Sequence, residues 1–262
     1  MEELEGIGRY ERYGNGPAVV ILSNPTPDPR WWAVPFVSAL VDVGYEAITF
    51  IHTGQSFTPE DVVQDVAEFI EHLQVGPVRL LGWSQGAAIS QEVALLRPDL
   101  VVAAALIATY GRQNSFDRLL QESSDLLARA GKELDPVRLV LTFLTSHPAP
   151  RLGDDAYVDP LIEGLRQWSA KPVSSSDRDR RAAEFIAGYQ ERLDALAGVR
   201  VPCLVMGFGQ DTDTFVTRAR EVAEAIPASQ YIELADAAHL LPVSDPPRVI
   251  ELVLSFFANV DG

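Results

Sequence analysis

The chain has 262 residues, with 37 acidic against 21 basic side chains and a formal net charge of −16. That balance argues against nucleic acid and against anionic membrane surfaces, both of which want Lys/Arg patches, while a hydrophobic content of 47% is enough for a large core. The one cysteine, Cys203, allows no intrachain disulfide, and no apolar run approaches 18 residues. Met1-Glu-Glu-Leu-Glu5 lacks the basic and apolar regions of an export signal, so a cytoplasmic location is expected.

Arg9–Tyr13 reads as an edge strand, ended by Gly14-Asn15-Gly16. Ala18–Leu22 is a continuous apolar run of the buried, parallel-sheet kind. Ser23–Arg30 carries Pro25, Pro27 and Pro29 and is a loop. Trp31–Val43 places Trp32, Phe36, Leu40 and Val43 near helical spacing, and Gly44 ends it. Glu46–Ile51 is the next strand and His52–Ser56 a loop. Thr58-Pro59-Glu60 then starts a helix to about Leu73, with a Thr cap and Pro in the first position. Val78–Leu81 is a strand, Ala87–Leu96 a helix broken by Arg97-Pro98-Asp99, and Val101–Ala108 another buried strand. Such alternation implies crossover units and a parallel sheet.

From about Gly111 the pattern changes. Residues 111–198 are charged and mostly helical in pattern, with candidate helices Phe116–Ala130, Pro136–Ser146, Pro160–Ala170 and Arg178–Leu196. The alternation resumes with strand Cys203–Gly207, helix Thr214–Ile226, strand Gln230–Leu234 and helix Pro247–Phe257. A helical block between strands of one sheet reads as a lid over the sheet's carboxyl edge. Residues 1–262 are therefore expected to form a single α/β domain, with 111–198 as its lid.

Gly82-Trp83-Ser84-Gln85-Gly86 lies between the strand and the helix, the context of a G-x-S-x-G nucleophile elbow. The turn crowds the residues two before and two after the Ser, where a side chain would clash. It pushes the Ser84 hydroxyl into the open, and the Gln85 N–H points at whatever Ser84 attacks. A Gly-flanked turn with a solvated Ser is the plainer alternative.

A serine hydroxyl needs a base to take its proton. Of four histidines, His239 follows the last strand, at the same sheet edge as the elbow. His52 is the reserve candidate, while His72 and His147 are expected to be structural. The base in turn needs a carboxylate. Asp211, in Gly209-Gln210-Asp211, is favoured over Asp213, which would cap the next helix. Trp31, Trp32 and Trp83 flank the pocket loops, with core packing the plainer alternative for each and Trp83 the favoured pocket wall, and Phe143, Tyr157 and Trp168 of the lid are expected to add to an apolar substrate site. Cys203 reads as a buried core residue. Scattered histidines, and the absence of H-x-x-x-H, C-x-x-C, G-x-G-x-x-G and P-loop motifs, imply no metal and no nucleotide cofactor.

With these pieces, and with Ala237-Ala238-His239-Leu240 and Val201–Gly207, the chain resembles the α/β-hydrolase-fold proteins. The resemblance is to lid-bearing small-molecule hydrolases such as haloperoxidase-like esterases and enol-lactonases. The order Ser84, Asp211, His239 is the one that fold expects. Two stretches depart from it. Ser23-Asn24 stands where the family usually has His-Gly, and the degraded Asp-x-x-Gly-x-Gly lies at Ile51–Ser56. Pro25 has no N–H to give an oxyanion, so Asn24, by its backbone N–H or its side-chain amide, or else a neighbouring residue, is expected to give the second donor beside Gln85. The resemblance implies hydrolysis of an ester, lactone or thioester of a small, mostly apolar molecule, without a cofactor. A lyase or cyclase using the His–Asp pair, or a slow-turnover ligand receptor, stays open, as does a homodimer.

Overall fold

The structure is a computed structural model that describes residues 1–22, 30–130, 132–169 and 184–261. Among these residues the strands form one eight-stranded sheet, in the order β1-β2-β4-β3-β5-β6-β7-β8. The strands are β1 (Glu2–Leu4), β2 (Gly8–Tyr13), β3 (Ala18–Leu22), β4 (Glu46–His52), β5 (Val78–Trp83), β6 (Val101–Ile107), β7 (Cys203–Phe208) and β8 (Ser229–Leu234). β1 and β2 run antiparallel, β2 pairs antiparallel with β4, and every pair from β4 to β8 is parallel. The strand read as the edge is thus second in the sheet; the short β1 covers it.

Parallel strands need both faces covered. β3 shows how the sequence achieves it: Val20 and Leu22 point into one apolar cluster, and Val19 and Ile21 into the other, the period of two that a strand dictates. On the first face α2 (Pro59–Leu73), α3 (Gln85–Leu96) and α9 (Asp213–Ala225) supply Phe69, Val93 and Val222. On the second, α1 (Arg30–Asp42) and α11 (Pro246–Asp261) supply Trp32, Phe36, Leu40, Val253 and Phe257. Val43, expected on the buried face of α1, lies past its end and is exposed. Thr58 caps α2 by accepting from the Asp61 N–H, with Pro59 in the first turn, as its sequence predicts.

Between β6 and β7 lie α4 (Ser115–Arg129), α5 (Asp135–Ser146), α6 (Asp155–Ser169), α7 (residues 184–188) and α8 (Leu193–Leu196). Asn114 and Asp117 form a reciprocal capping box at the start of α4. Two boundaries differ from the sequence reading. α6 begins at Asp155 and holds Pro160 inside it, and the expected Arg178–Leu196 helix is broken at residues 189–192, with 178–183 outside the described residues. The two ends of the segment are tied together, since Arg192 N–H donates to Gly111 O at 2.8 Å.

The sheet order places the functional region. After β3 the chain turns to one side to form β4, then crosses β3 to form β5 on the other side. A crevice opens beyond the carboxyl ends of strands at such a reversal, and open α/β sheets bind their ligands there. Leu22 and Gly82 are paired in register at that point, so Ser84 leaves the sheet beside the carboxyl end of β3.

Candidate active site

Ser84 links β5 directly to α3, and its backbone is at φ 56°, ψ −120°. A non-Gly residue there is strained and persists only where the surroundings over-determine it. Ser84 N–H donates to Ile107 O at 2.8 Å, and Ser84 O accepts from Ala87 N–H at 3.0 Å and Ala88 N–H at 3.2 Å. The helix therefore folds back sharply over the strand. Position 82 must be Gly, because a Cβ there would stand 2.6 Å from both Cα and N of Ala87 and against Gly86 O. The Gln85 N–H belongs to the first turn of α3, whose amides have no partner within the helix.

The loops after β7 and β8 are laced together by backbone bonds. Gly209 N–H donates to Leu234 O at 2.9 Å and Gln210 N–H to Ala237 O at 2.7 Å. The approach is close enough that a Cβ on Gly209 would meet Ala235 O at 2.7 Å. This lacing sets Asp211 beside His239. The structure thus gathers Ser84, His239 and Asp211, from three separate loops, into one hydrogen-bonded row. His239 Nε2 is 3.1 Å from Ser84 Oγ, and His239 Nδ1 is 2.8 Å from Asp211 Oδ2. Asp211 Oδ1 accepts from the Thr212 N–H at 2.9 Å, and its side chain is 1% exposed. A buried carboxylate with both oxygens engaged holds Nδ1 as the donor and leaves Nε2 to accept from the Ser84 hydroxyl.

Trp83 supports the row from behind. Its Nε1–H donates to His239 O at 3.2 Å, and its ring lies 5.7 Å from the imidazole and 5.4 Å from Trp32. Trp32 is only 1% exposed, so it offers almost no surface to a substrate, and its place is behind Trp83. Phe143 on α5 is buried and packs on the His147 ring. The side chain of Trp168, and Asn24 and Pro25 with the whole second-donor question, lie outside the described residues. α9 starts at Asp213 with Thr212 in the cap position, so Asp213 stands one residue past the place expected for it.

The reserve base is occupied elsewhere. His52 ends β4 rather than starting a loop, and its Nε2 lies 2.6 Å from Asp65 Oδ2 on α2. His72 is in the last turn of α2, against the Tyr10 ring.

Two features escape the sequence reading. One is a backbone bond from the Leu240 N–H to Ser146 O at 3.2 Å, which docks the end of α5 on the loop carrying His239. The other is a buried polar network on α3. Gln91 donates to Tyr110 O at 2.8 Å and Tyr189 Oη at 2.7 Å and accepts from Thr109 Oγ1 at 2.8 Å. Glu92 accepts from Tyr189 Oη at 2.7 Å and from Arg192 at 2.8 and 3.0 Å. The signal for it was Ser90-Gln91-Glu92 inside a helix that is otherwise apolar on every side.

Residues 19–252 match the sequence profile of the alpha/beta hydrolase family. The chain belongs to that family. It is therefore an enzyme of the α/β hydrolase class, and its fold is the one the sequence motifs imply. A Mycobacterium tuberculosis H37Rv protein carrying the name non-heme bromoperoxidase BpoC is 32% identical over 259 residues, 96% of this chain and 97% of that one. The crystal structure of BpoC superposes with a TM-score of 0.84, covering 97% of this chain and 96% of the other. A Rhizobium rhizogenes protein named as carbamate hydrolase RutD is 26% identical over 264 residues, 97% of this chain and 96% of its own. The enol-lactonase of Burkholderia xenovorans LB400, at 20% identity and covering 96% of each chain, shares the fold with a TM-score of 0.77. Among the described residues no helix is long and apolar enough to cross a membrane.

Proposed function

We propose that this enzyme is a serine hydrolase that cleaves an ester, lactone or thioester of a small, mostly apolar molecule through an acyl-enzyme. The observation that carries the reading is the row Ser84–His239–Asp211, with Ser84 held at φ 56° on the elbow. Ser84 Oγ attacks the carbonyl carbon while His239 Nε2 takes its proton. His239 then returns that proton to the leaving oxygen or sulfur, and the acyl group stays on Ser84. Water, deprotonated by His239, attacks the acyl-enzyme and releases the acid. Asp211 keeps Nδ1 protonated and balances the imidazolium that forms in each half. The Gln85 N–H donates to the oxyanion, and we assign the second donor to Asn24.

Residues 111–198 act in this reading as a lid. The tie from Arg192 to Gly111 makes the segment a closed excursion from the sheet edge, and the Ser146–Leu240 bond brings it onto the reactive loop. A carbonyl substrate agrees with the carbamate hydrolase and enol-lactonase names of the relatives.

The test is intact-mass labelling with a fluorophosphonate, followed by a panel of short p-nitrophenyl acyl esters, lactones and thioesters. One adduct on Ser84, turnover of part of the panel, and loss of both in Ser84→Ala by about 10³-fold or more are expected. A Ser84→Ala variant with near-parental turnover would overturn the mechanism.

A further inference from the structure

His147 has no part in the row described above. It follows the last turn of α5, and the residue is 4% exposed. Nδ1 lies 2.9 Å from Tyr157 Oη, and the ring stacks on Phe143 with centroids 4.9 Å apart. Arg151 covers the Tyr157 ring, 4.1 Å from its centroid. Phe143 and Tyr157 therefore hold the imidazole from its face and from one nitrogen. The other nitrogen, Nε2, is buried and has no hydrogen-bond partner among the described residues. Buried polar atoms are nearly always partnered, and one left without is destabilising. An unmet ring nitrogen on an otherwise well-held imidazole calls for a ligand atom.

Its place in the fold says which ligand. Ser146 O accepts from the Leu240 N–H at 3.2 Å. Ser146 is covalently joined to His147, and Leu240 to His239. Covalent geometry then keeps the Cα atoms of His147 and His239 within about 9 Å of each other. His147 is thus a near neighbour, along the backbone, of the residue that meets Ser84 Oγ.

We propose that His147 is a substrate-positioning residue, whose Nε2 makes one hydrogen bond to an uncharged polar group on the acyl part of the substrate, away from the carbonyl that Ser84 attacks. The proposal rests on the serine-hydrolase reading and narrows its substrate class to acyl chains bearing a hydroxyl, keto or amide group. Burial disfavours the charged form of His147 and keeps the Tyr157 phenol protonated. A neutral pair suits an uncharged partner, since Arg151 lies over the Tyr157 ring and not on a ring nitrogen of His147.

The experiment compares matched p-nitrophenyl esters: butanoate with 3-hydroxybutanoate, and pentanoate with 4-oxopentanoate and with hemisuccinate as the charged control. The readout is the ratio of kcat/KM, polar over apolar, in the parent, His147→Phe and His147→Gln, each checked for thermal unfolding and for fluorophosphonate labelling of Ser84. The parent should prefer at least one uncharged polar ester by about 10- to 100-fold, the range of one buried hydrogen bond. The Phe variant should bring that ratio within about threefold of unity, chiefly through KM of the polar ester, as for lost binding made equally in ground and transition states. The Gln variant, which keeps an amide near the place of Nε2, should retain more of the preference than Phe. A parent without preference, a Phe variant that keeps it, equal loss on both members of a pair, or a preference for hemisuccinate would overturn the proposal while labelling stays intact. Failure of Ser84 to label would instead remove the hydrolase reading, and this proposal with it.

Discussion

Replacing Asp211 with Asn changes one oxygen to NH2 at nearly constant shape, and the structure sets bounds on the effect. The carboxylate accepts twice, from His239 Nδ1 at 2.8 Å and from the Thr212 N–H at 2.9 Å. An amide has one acceptor for the two places. If its oxygen keeps the Thr212 N–H, its NH2 faces Nδ1, which must then accept. The imidazole proton sits on Nε2, and the base cannot take one from Ser84. If the amide turns over, the tautomer is right but NH2 meets the Thr212 N–H donor to donor. That buried clash costs about 1–3 kcal/mol, or about 10- to 100-fold in the population of the competent arrangement. Losing the negative charge opposite the imidazolium lowers the rate further, towards the roughly 10⁴-fold found when the carboxylate of such a triad becomes an amide. A loss in kcat of about 10²- to 10⁴-fold is therefore expected. Ester hydrolysis and the rate of fluorophosphonate labelling measure it, with thermal unfolding to show that the variant is folded. Activity within about threefold of the parent would refute the tautomer argument. A larger loss in Asp213→Asn than in Asp211→Asn would move the acid to the start of α9.

Three further outcomes follow from packing. Gly82→Ala puts a Cβ 2.6 Å from Ala87 N and should cost more than about 2 kcal/mol, together with Ser84 labelling. An unchanged urea midpoint would show that the elbow relaxes freely. Burial pushes the Cys203 thiol up to about 12, so about 10⁻⁴ of it is thiolate at pH 8 against roughly a quarter of an ordinary thiol. Iodoacetamide should modify Cys203 only in urea, and modification of the native protein at a free-thiol rate would contradict its burial. Glu92→Ala strips the acceptor from Tyr189 Oη and from Arg192. It should lower stability by about 2 kcal/mol, less than a fully buried pair because Arg192 is partly exposed. A loss below about 0.5 kcal/mol in urea unfolding would mean that water replaces Glu92 without cost.

The elbow was legible because its glycine spacing is a steric requirement written directly in residue types. A positive-φ Ser84 demands no Cβ at position 82, and the strand before and helix after are visible as an apolar run and a periodic one. The strands were legible for a related reason: a strand covered on both faces leaves an unbroken apolar run, as at Ala18–Leu22. Helix boundaries between β6 and β7 were less so. Pro160 reads as a helix start, yet it sits inside α6. A proline removes one N–H bond and crowds one carbonyl, which an exposed helix tolerates when the rest of it is held. Gln91 and Glu92 announced a buried polar site, but their partner Tyr189 is almost a hundred positions away, and nothing in either stretch points to the other.

The contact that escapes sequence reading altogether is the one between Ser146 and Leu240. It is made by backbone atoms, so no side-chain pattern marks it. Its consequence lies in how the row and the helical segment are coupled. Ser84, Asp211 and His239 all hang from the carboxyl edge of the sheet, held by backbone bonds to Ile107 of β6 and Leu234 of β8 and by the Gln210–Ala237 bond between the two loops. Their mutual geometry is thus set by the sheet and by the bonds between these loops. α5 carries the exposed apolar residues Val137, Val140 and Leu144, whereas Phe185, Tyr189 and Leu196 further along the segment are buried in the core cluster on the α3 face. The helical segment between β6 and β7 meets the core at several places besides the Ser146–Leu240 bond, among them Asp117 of α4 on Arg218, and Arg192 on Glu92. A side chain at the Ser146–Leu240 junction is held against the loop that carries His239 yet belongs to the helical segment. In the proposed reading, substitutions there alter substrate choice while the alignment of the row stays intact. Hence His147, one residue beyond the bond, is the position at which the two parts of the molecule can be tested separately.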